Sequence, residues 1–490
     1  MLNYFDKALE YGSKIAIITE NNTYTYAQLH ETSVGIAASL LNGAADLAAQ
    51  RVAFMVNPGF DYVAVQWGIW RAGGVAVPLC ITHPLNALQY VIEDTQASII
   101  VADQGYHEML SILAAEKNIM LYLPQDLKKG SQVALPQLNT SRNAMILYTS
   151  GTTNLPKGVV TTFEGLDAQV STLIKAWEWT SNDHTLCLLP LHHVHGIINV
   201  VCCAMASGAT CEFLNKFSAQ GVFDIFNRKQ VNVFMAVPTI YYKLIAHWDT
   251  LTDAAQLQLK ESYTHFRLMI SGSAALPVTV MDRWKEISGH ILLERYGMTE
   301  IGMAISNPYH GLRMPGHVGL ALPGVNVRLA AEDDTEVVGE PGEIQIKGKN
   351  VFLAYWQRPE ETAKSFTSDG WFKTGDIAVL NDGYYKILGR NSTDIIKSGG
   401  YKISALEIEE VLRTHPLITD CAVLAIDDEE WGELVVAALE ADAAIDTAEV
   451  NTWLRALMAS YKTPKKYVVL KDLPRNAMGK VTKKELKSLF

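Results

Sequence analysis

The segment Tyr148–Gly158 carries the side chains best suited to chemistry. It reads Tyr-Thr-Ser-Gly-Thr-Thr-Asn-Leu-Pro-Lys-Gly, and it follows a short apolar run that predicts a buried strand. Hydroxyl groups, a glycine and the free N–H groups after a strand can surround an anion such as a phosphate, and Lys157 adds a positive charge. The G-x-x-x-x-G-K-[ST] pattern of P-loop kinases is absent from it. The spacing alone leaves a phosphate loop and an ordinary polar loop equally open.

The elements that must position this loop alternate between strand and helix. From residue 143 to about residue 300, strand-like runs such as Val231–Ala236 and Arg267–Ile270 alternate with helix-like runs such as Pro277–Ile287 and Ile197–Ala206. This alternation predicts parallel sheets covered by helices. After about Pro323, short strands broken by turns predict antiparallel β-structure.

The order of strand-like and helix-like runs changes again near residues 389–393, where a polar stretch predicts a domain boundary. Beyond it, Ile403–Leu412 predicts a helix, Ala422–Ile426 and Leu434–Leu439 predict strands, and Asp446 is a candidate helix cap. We therefore expect an α/β fold. Its N-terminal domain (1–389) holds parallel α/β sheets and a small antiparallel β-barrel-like part; a hinge (390–394) and a small α+β C-terminal domain (395–490) follow.

The composition excludes several classes of protein. The chain has 490 residues, of which 49% are hydrophobic and 19% charged, so it is neither disordered, collagen-like nor a coiled coil. A net charge of −11 disfavours general binding to nucleic acid or to a membrane surface. The six cysteines form no C-x-x-C pair, which favours reduced, buried thiols over disulfides or zinc. No long apolar stretch predicts a membrane span, and no signal peptide is visible, so we expect a cytoplasmic protein.

Seven segments together resemble, in order, the motifs of the adenylate-forming superfamily, which includes the acyl-CoA synthetases. Asn154 stands where that family usually has glycine, and asparagine tolerates the left-handed backbone angles of such a turn. The matching segments are Tyr148–Gly158, Leu189–Gly196, Ser271–Pro277, Tyr296–Glu300, Thr374–Asp376 with Gly389–Arg390, Ser398–Tyr401 and Pro474–Lys480. The resemblance spans almost the whole chain, and it implies an AMP-forming acid–CoA ligase that uses ATP, Mg²⁺ and coenzyme A.

The resemblance also implies which residues bind the nucleotide and CoA. Asp376, in a turn between strands, and Arg390 would hold the ribose. The loop 398–401 would lie beside the pantetheine of CoA. The implied nucleotide and CoA residues are Thr149, Ser150, Gly151, Thr152, Thr153, Lys157, Ser271, Gly272, Ser273, Ala274, Arg295, Tyr296, Gly297, Met298, Asp376, Arg390, Ser398, Gly399, Gly400 and Tyr401.

Catalytic roles follow from the same motifs. Glu300, with Thr152, would hold Mg²⁺, a hard cation that prefers oxygen ligands. Thr299 would reach the α-phosphate, and Lys480 would neutralise charge that develops during attack on that phosphate. In the family the segment Leu189–Gly196 lines the acyl pocket, so we expect His193 to serve in catalysis and, with His195, to contact the substrate carboxylate.

Two arginines are candidates for a second carboxylate on the substrate. Arg267 opens the strand that leads into Ser271, and Arg313 lies shortly after the Tyr296–Glu300 motif. Arginine suits bidentate recognition of a carboxylate, although an ordinary scaffold role remains open for each. Further segments, among them Arg295–Ala304, closely resemble malonyl-CoA synthetases, which implies malonate or methylmalonate as substrate.

Two alternatives stay open at this point. A medium- or long-chain fatty acyl-CoA ligase would have apolar surface where a dicarboxylate needs cations. A nucleotide-binding paralogue without catalytic activity belongs to a different class, but Lys480, Glu300, Asp376 and Arg390 together argue against it. We expect the partners to be a small carboxylic acid, ATP and CoA, with no nucleic acid and no stable membrane insertion.

Overall fold

The computed structural model describes residues 4–128, 133–149, 156–475 and 481–490. Its strands are, in chain order, β1 (Ile15–Ile18), β2 (Thr23–Thr25), β3 (Arg51–Met55), β4 (Val75–Pro78), β5 (Ile99–Ala102), β6 (Met120–Tyr122), β7 (Asn143–Thr149), β8 (Lys157–Thr162), β9 (His184–Cys187), β10 (Thr210–Phe213), β11 (Val233–Ala236), β12 (Leu268–Ser271), β13 (Leu293–Met298), β14 (Gly302–Ser306), β15 (Leu320–Ala321), β16 (Asn326–Ala330), β17 (Gly342–Lys347), β18 (Ala354–Tyr355), β19 (Phe372–Asn381), β20 (Tyr384–Arg390), β21 (Ile395–Ser398), β22 (Tyr401–Ser404), β23 (Asp420–Asp428), β24 (Gly432–Glu440) and β25 (Lys466–Leu470).

Helices connect and cover these strands. They are α1 (Tyr4–Tyr11), α2 (Tyr26–Leu41), α3 (Phe60–Arg71), α4 (Leu85–Thr95), α5 (Gln104–Glu116), α6 (Pro124–Leu127), α7 (Phe163–Ala176), a π-helix (His195–Cys202), α8 (Cys203–Ser207), α9 (Ala219–Asn227), α10 (Pro238–Trp248), α11 (Asp253–Tyr263), α12 (Val278–Ser288), α13 (Pro359–Lys364), α14 (Ala405–Leu412), α15 (Thr447–Leu457), a 3₁₀ turn (Ser460–Lys462), α16 (Lys483–Leu486) and a second 3₁₀ turn (Lys487–Leu489).

Two large mixed sheets form the first part of the chain. Their strand orders are β15-β14-β13-β12-β11-β9-β10-β1-β2 and β18-β8-β7-β4-β3-β5-β6. Strands β9 to β13 and β3 to β6 pair in parallel, as the alternation of strand and helix predicts. The pairs β13–β14 and β7–β8 are antiparallel hairpins that the sequence pattern did not reveal. The predicted α/β class is confirmed.

The predicted antiparallel part is also confirmed. Strands β16, β17, β19 and β20 form one antiparallel sheet in that order.

The central strands of the large sheets are buried on both faces, and tryptophans Trp67, Trp70 and Trp177 are among the largest fully buried side chains between them. Burial on both faces is typical of parallel sheets that carry helices on each side.

Strands β21 to β25 form a separate small sheet with its own apolar core, to which Ile396, Ile408 and Leu454 contribute. The predicted helix Ile403–Leu412 is wrong at its start, because residues up to Ser404 belong to β22 and Ser404 caps α14 by accepting from the Glu407 N–H. The Asp446 cap is confirmed, since its carboxylate accepts from two N–H groups of the first turn of α15.

The segment 197–206 is helical, but its first part winds as a π-helix that begins at His195. All six cysteines are buried, as their apolar surroundings predict. In the described part of the chain, no helix is long and apolar enough to cross a membrane. Strands β11, β12 and β13 run in parallel, so their carboxyl ends meet at one edge, and this edge opens onto a cavity.

Candidate active site

A cavity of about 970 Å³ lies at this edge, between the large sheets, the antiparallel sheet and α14. Residues of α14 such as Glu407 and Glu410 close one side of it. The cavity brings together fourteen of the residues predicted from the sequence, namely Thr149, Lys157, His193, His195, Ser273, Ala274, Arg295, Tyr296, Gly297, Met298, Thr299, Glu300, Asp376 and Arg390. Ser150, Gly151, Thr152, Thr153 and Lys480 lie outside the described residues, so their predicted roles stay predictions.

Asp376 is the centre of a polar group inside the cavity. Its Oδ2 accepts a hydrogen bond from the Tyr296 hydroxyl at 2.6 Å, and its Oδ1 accepts from Arg390 Nε at 3.0 Å. Burial would lower the pKa of Arg390, but the charge of Asp376 raises it above its ordinary value. The prediction that Asp376 sits in a turn is wrong, because it pairs with Arg390 within the β19–β20 ladder. Two neighbouring strands therefore hold both side chains against Tyr296.

Glu300 lies in the turn between β13 and β14, and only 5% of its surface is exposed. Its Oε1 accepts from the Tyr355 hydroxyl at 2.9 Å. Burial raises the pKa of Glu300, while the Tyr355 hydrogen bond and the charges of Arg390 and Lys157 oppose that shift. A carboxylate on the cavity wall, beside the predicted phosphate loop, fits a Mg²⁺ ion that takes its other ligands from phosphates and water.

Lys157 begins β8, directly after the predicted phosphate loop. Its ammonium pairs with the carboxylate of Glu361 and lies 5.1 Å from the centre of the Tyr355 ring. Thr149 faces Lys157 across the β7–β8 ladder, so both ends of the loop reach the cavity wall. These contacts direct the Lys157 charge toward the side of the cavity where Glu300 lies.

His195, Ser273 and Arg295 form a second polar group. His195 Nδ1 lies 3.1 Å from Ser273 Oγ, and Arg295 donates to the same oxygen at 3.4 Å. His195 and Arg295 are each 3% exposed, and in the described structure Arg295 Nε and His195 Nε2 have no hydrogen-bond partner. A β-carbon at Gly272 would lie 2.6 Å from the guanidinium carbon, so only glycine lets the Ser-Gly-Ser turn approach Arg295 this closely.

The charges of this second group follow from its burial. Burial lowers the pKa of Arg295 to about 9, and the charge of neighbouring Glu294 partly offsets that. Burial also lowers the pKa of His193 to about 4 and that of His195 further, so both imidazoles are neutral near pH 7. The histidines can therefore donate or accept hydrogen bonds, but Arg295 is the cation here. The described residues contain no cluster of three metal-ligating side chains.

The structure does not bring Arg267 and Arg313 into the cavity wall as it is described. Arg267 forms a bidentate pair with Asp183, at 2.6 and 2.7 Å, and donates to the Trp177 carbonyl. Arg313 donates to the carbonyls of Ile291, Tyr309 and Pro308. These contacts favour the scaffold role over the predicted carboxylate clamp.

Six further predicted residues lie outside the wall of the cavity among the residues that the structure describes. Ser271 and Gly272 directly precede Ser273 in the chain. Ser398, Gly399 and Gly400 form the end of the β21–β22 hairpin, where both glycines have positive φ. Tyr401 follows them on the protein surface, 55% exposed and stacked on Tyr461 at 4.4 Å. A role for this hairpin in CoA binding stays a prediction.

Sequence reasoning missed Glu294, Tyr355 and Glu410. Glu294 is buried against the cavity, accepts from the Leu276 N–H and has a pKa raised to about 8, mainly by burial. Glu410 Oε1 accepts from the Val278 N–H at 2.8 Å and so joins α14 to the start of α12. Glu294 directly precedes the predicted residue Arg295 in a buried strand, and this position could have marked it as a candidate site residue. Tyr355 and Glu410 reach the site through long-range folding, which no local pattern marks.

Comparisons with known proteins agree with this geometry. Residues 4–356 match the family profile of the AMP-binding enzymes, and residues 407–480 match the C-terminal domain of the same enzymes. The chain belongs to the AMP-binding enzyme family. It is an adenylate-forming acyl-CoA ligase, as the motifs predict.

Individual relatives point the same way. The chain is 43% identical to the mouse (Mus musculus) malonate–CoA ligase ACSF3, mitochondrial, over 98% of this chain and 89% of the relative. It is 29% identical to a long-chain-fatty-acid–CoA ligase of Bacillus subtilis, over 98% of this chain and 92% of the relative. The solved structure of ATP-bound MatB from Rhodopseudomonas palustris superposes with a TM-score of 0.91, at 34% identity, over 100% of this chain and 98% of the other.

Proposed function

We propose that this enzyme joins malonate to coenzyme A. One carboxylate of malonate attacks the α-phosphate of ATP, so that pyrophosphate leaves and malonyl-adenylate forms. The thiol of CoA then attacks the acyl carbonyl carbon and displaces AMP, which gives malonyl-CoA. Methylmalonate, which differs by one methyl group, is the second acid that we expect the site to accept.

The residues of the first polar group hold the nucleotide in this scheme. Asp376 accepts hydrogen bonds from the ribose hydroxyls, and Tyr296 and Arg390 keep its carboxylate in place. Lys157 and the segment 149–158 face the phosphates, and Lys480 supplies a further positive charge during adenylation. Glu300 would hold Mg²⁺, which neutralises phosphate charge when bound. The hairpin 398–401 would contact CoA during thioester formation.

Arg295 is the observation that carries the choice of malonate. It is a buried cation on the cavity wall, and its Nε has no hydrogen-bond partner in the described structure. Desolvation disfavours such a charge, as its lowered pKa records, and a carboxylate from the substrate would offset that cost. Neutral His195 and the Ser273 hydroxyl lie within hydrogen-bond reach of one another beside it, and they can complete the same carboxylate site.

A fatty acyl-CoA ligase remains the alternative substrate class. An alkyl tail beside Arg295 would offer the buried guanidinium no carboxylate and would leave its Nε without a hydrogen-bond partner, which is costly. The lower identity to the fatty-acid enzyme of Bacillus subtilis agrees with this argument. A cytoplasmic location also stays a prediction, because the mouse relative carries the word mitochondrial in its name.

The reaction itself is tested by its products. Purified protein is mixed with ATP, MgCl₂, malonate and CoA, and the nucleotides and thioesters are separated by chromatography. We expect AMP, pyrophosphate and malonyl-CoA in equal amounts, and AMP with pyrophosphate only when an acid is present. Release of ADP and phosphate would rule out the adenylate route, and absence of any turnover would favour a non-catalytic nucleotide-binding protein.

A further inference from the structure

We infer that Tyr90 and Asp94 on α4 are positioning residues for nucleotide binding, because they fix the two chain ends that enter and leave the segment 150–155. This inference rests on the proposed adenylating function, in which that segment faces the phosphates of ATP. Neither residue lies in a motif of the sequence analysis, and neither lines the described cavity wall. Their contacts, however, go directly to the residues on either side of the segment.

Tyr90 and Asp94 each contact one of the two chain ends that flank the segment 150–155. The Tyr148 hydroxyl, on the strand that enters the segment, donates to Asp94 Oδ2 at 2.5 Å. The Tyr90 hydroxyl donates to the carbonyl of Pro156, the first residue described after the segment, at 2.8 Å. Tyr90 and Asp94 are four residues apart on α4, so they lie one above the other on the same helix face. One helical turn therefore contacts both Tyr148 and Pro156, on either side of the segment 150–155.

A third chain segment joins the same contact. Arg358 donates to Asp94 Oδ1 at 2.8 Å, and Trp356 Nε1 donates to the Asp94 carbonyl at 2.9 Å. The Trp356 N–H also donates to the carbonyl of Gly158 at 2.7 Å. Asp94 thus connects Tyr148 on one side of the hairpin with the residues that contact its other side.

The surroundings of Asp94 restrict the movement of its side chain and of the tyrosines beside it. The Asp94 side chain is 11% exposed, and both of its oxygens are bonded, one to a hydroxyl and one to a guanidinium. The rings of Tyr90 and Tyr148 meet edge to face, 6.2 Å apart and nearly perpendicular. Burial and the adjacent carboxylate raise the pKa of Tyr148, so its hydroxyl keeps the proton that it donates. Charge-assisted hydrogen bonds in a partly desolvated place hold geometry better than surface contacts.

We expect these fixed contacts of Tyr90 and Asp94 to serve the first half-reaction specifically. A loop that binds phosphates works through N–H groups whose positions are set before the nucleotide arrives. The β- and γ-phosphates leave as pyrophosphate when the adenylate forms. Loss of the Tyr90 and Asp94 contacts should therefore weaken ATP binding and adenylation, and it should leave the reaction of adenylate with CoA unchanged. A purely structural defect would impair both.

The test uses three conservative variants of the full enzyme, Asp94→Asn, Tyr148→Phe and Tyr90→Phe. Glu93→Gln is the matched control, because Glu93 lies on the same helix but pairs with Lys117 at the surface. The affinity for ATP is measured by calorimetry without malonate, KM for ATP by pyrophosphate release, and the second half-reaction with supplied malonyl-adenylate and CoA. Melting temperatures without ATP show whether each variant is folded.

We expect Asp94→Asn, Tyr148→Phe and Tyr90→Phe each to weaken ATP binding and raise KM for ATP, on the order of ten-fold for the first two, with unchanged thioester formation. Glu93→Gln should match the wild type. Wild-type ATP affinity in the folded Asp94→Asn and Tyr148→Phe variants, or an equal loss in both half-reactions, would overturn the inference. Because ATP binding is read without turnover, this result does not depend on which acid the wild-type enzyme activates; a wild type that binds ATP but releases no pyrophosphate would instead contradict the proposed function.

Discussion

Tyr296 and Asp376 are 80 residues apart in the chain, yet the tyrosine hydroxyl lies 2.6 Å from the aspartate Oδ2. This hydrogen bond joins the end of a strand in a large sheet to the antiparallel sheet across the cavity. Arg390 holds the other oxygen of the same carboxylate. A ligand that binds Asp376 therefore contacts a side chain whose orientation is fixed from two sides.

The first prediction concerns this carboxylate. Asp376→Asn keeps the shape of the side chain but removes the charge that faces Arg390 and one of the two acceptor oxygens. KM for ATP should rise at least roughly ten-fold, because hydrogen bonds to a charged acceptor are stronger than those to an amide. Tyr296→Phe removes only the supporting bond and should have a smaller effect. The account is contradicted if ATP titrations show equal affinity in Asp376→Asn and wild type.

The second prediction concerns the hinge, which we place within residues 391–394. The N–H groups of Thr393 and Asp394 donate to the Arg390 carbonyl, whereas none from Ser392 is found in the described structure. Ser392→Pro therefore restricts φ without removing such a bond. We expect it to impair thioester formation and to spare adenylation.

Lys480→Ala supplies the opposite pattern as a control, because Lys480 is expected to act only in adenylation. Each half-reaction is followed separately, adenylation by pyrophosphate release and thioester formation from supplied malonyl-adenylate. Two intact half-reactions in Ser392→Pro would place the hinge elsewhere. Equal loss of both in Lys480→Ala would refute its assigned role.

The third prediction uses Glu294, whose pKa is raised to about 8, mainly by burial, from an ordinary value of 4.5. Arg295 partly offsets that shift, and Glu410 adds to it. Between pH 4.5 and 8 the folded state holds a proton that the unfolded state has released, so this group lowers the stability of the fold as the pH rises through that window. Above about pH 8 the cost is complete.

Glu294→Gln mimics the protonated carboxyl and removes this dependence. The variant should be more stable than the wild type at pH 8, by roughly 1–3 kcal/mol, and the difference should shrink toward pH 5. Denaturant melts at several pH values measure it, with Glu429→Gln as a control at an exposed carboxylate. A difference that grows toward acid pH would show that Glu294 is charged in the folded protein.

The sequence predicted much of the nucleotide site, because its residues lie in short segments at strand ends. Ser273, Tyr296 and Glu300 are each fixed by a local turn or strand terminus, and all three reach the cavity. The two arginines illustrate the limit. Arg267 lies close to Ser271 in sequence, but it precedes a strand that Ser271 ends, and four residues of strand span roughly 13 Å. Proximity in sequence did not tell which end of the strand each residue occupies.

Other features depended on contacts that a single sequence does not display. Arg295 belongs to a predicted motif, but its burial and its contact with Gly272 arise only when β12 and β13 pair in register. Asp94 on α4 and Tyr148 on β7 are 54 residues apart in the chain and meet only in the folded protein. No local sequence pattern marks these long-range contacts.

The fourth prediction separates the substrate-binding role of Arg295 from the scaffold role of Arg267. Arg295→Met should lower kcat/KM for malonate by roughly 30-fold or more, since loss of one partner of a buried charge pair costs about 2–5 kcal/mol. Activity with acetate should hold or rise. Arg267→Met instead removes the guanidinium that pairs with the buried Asp183 carboxylate, so it should lower the melting temperature and leave the ratio of malonate to acetate activity unchanged. A changed ratio in folded Arg267→Met would restore the clamp interpretation.

The most direct test of malonate as substrate is a comparison of acids with the wild-type enzyme. Initial rates of thioester formation are measured at saturating ATP, Mg²⁺ and CoA with malonate, methylmalonate, acetate and octanoate. We predict the highest kcat/KM for malonate, lower but measurable activity with methylmalonate, and at least ten-fold lower values for acetate and octanoate, which lack a second charge for Arg295. A higher kcat/KM for octanoate or acetate than for malonate would contradict the account.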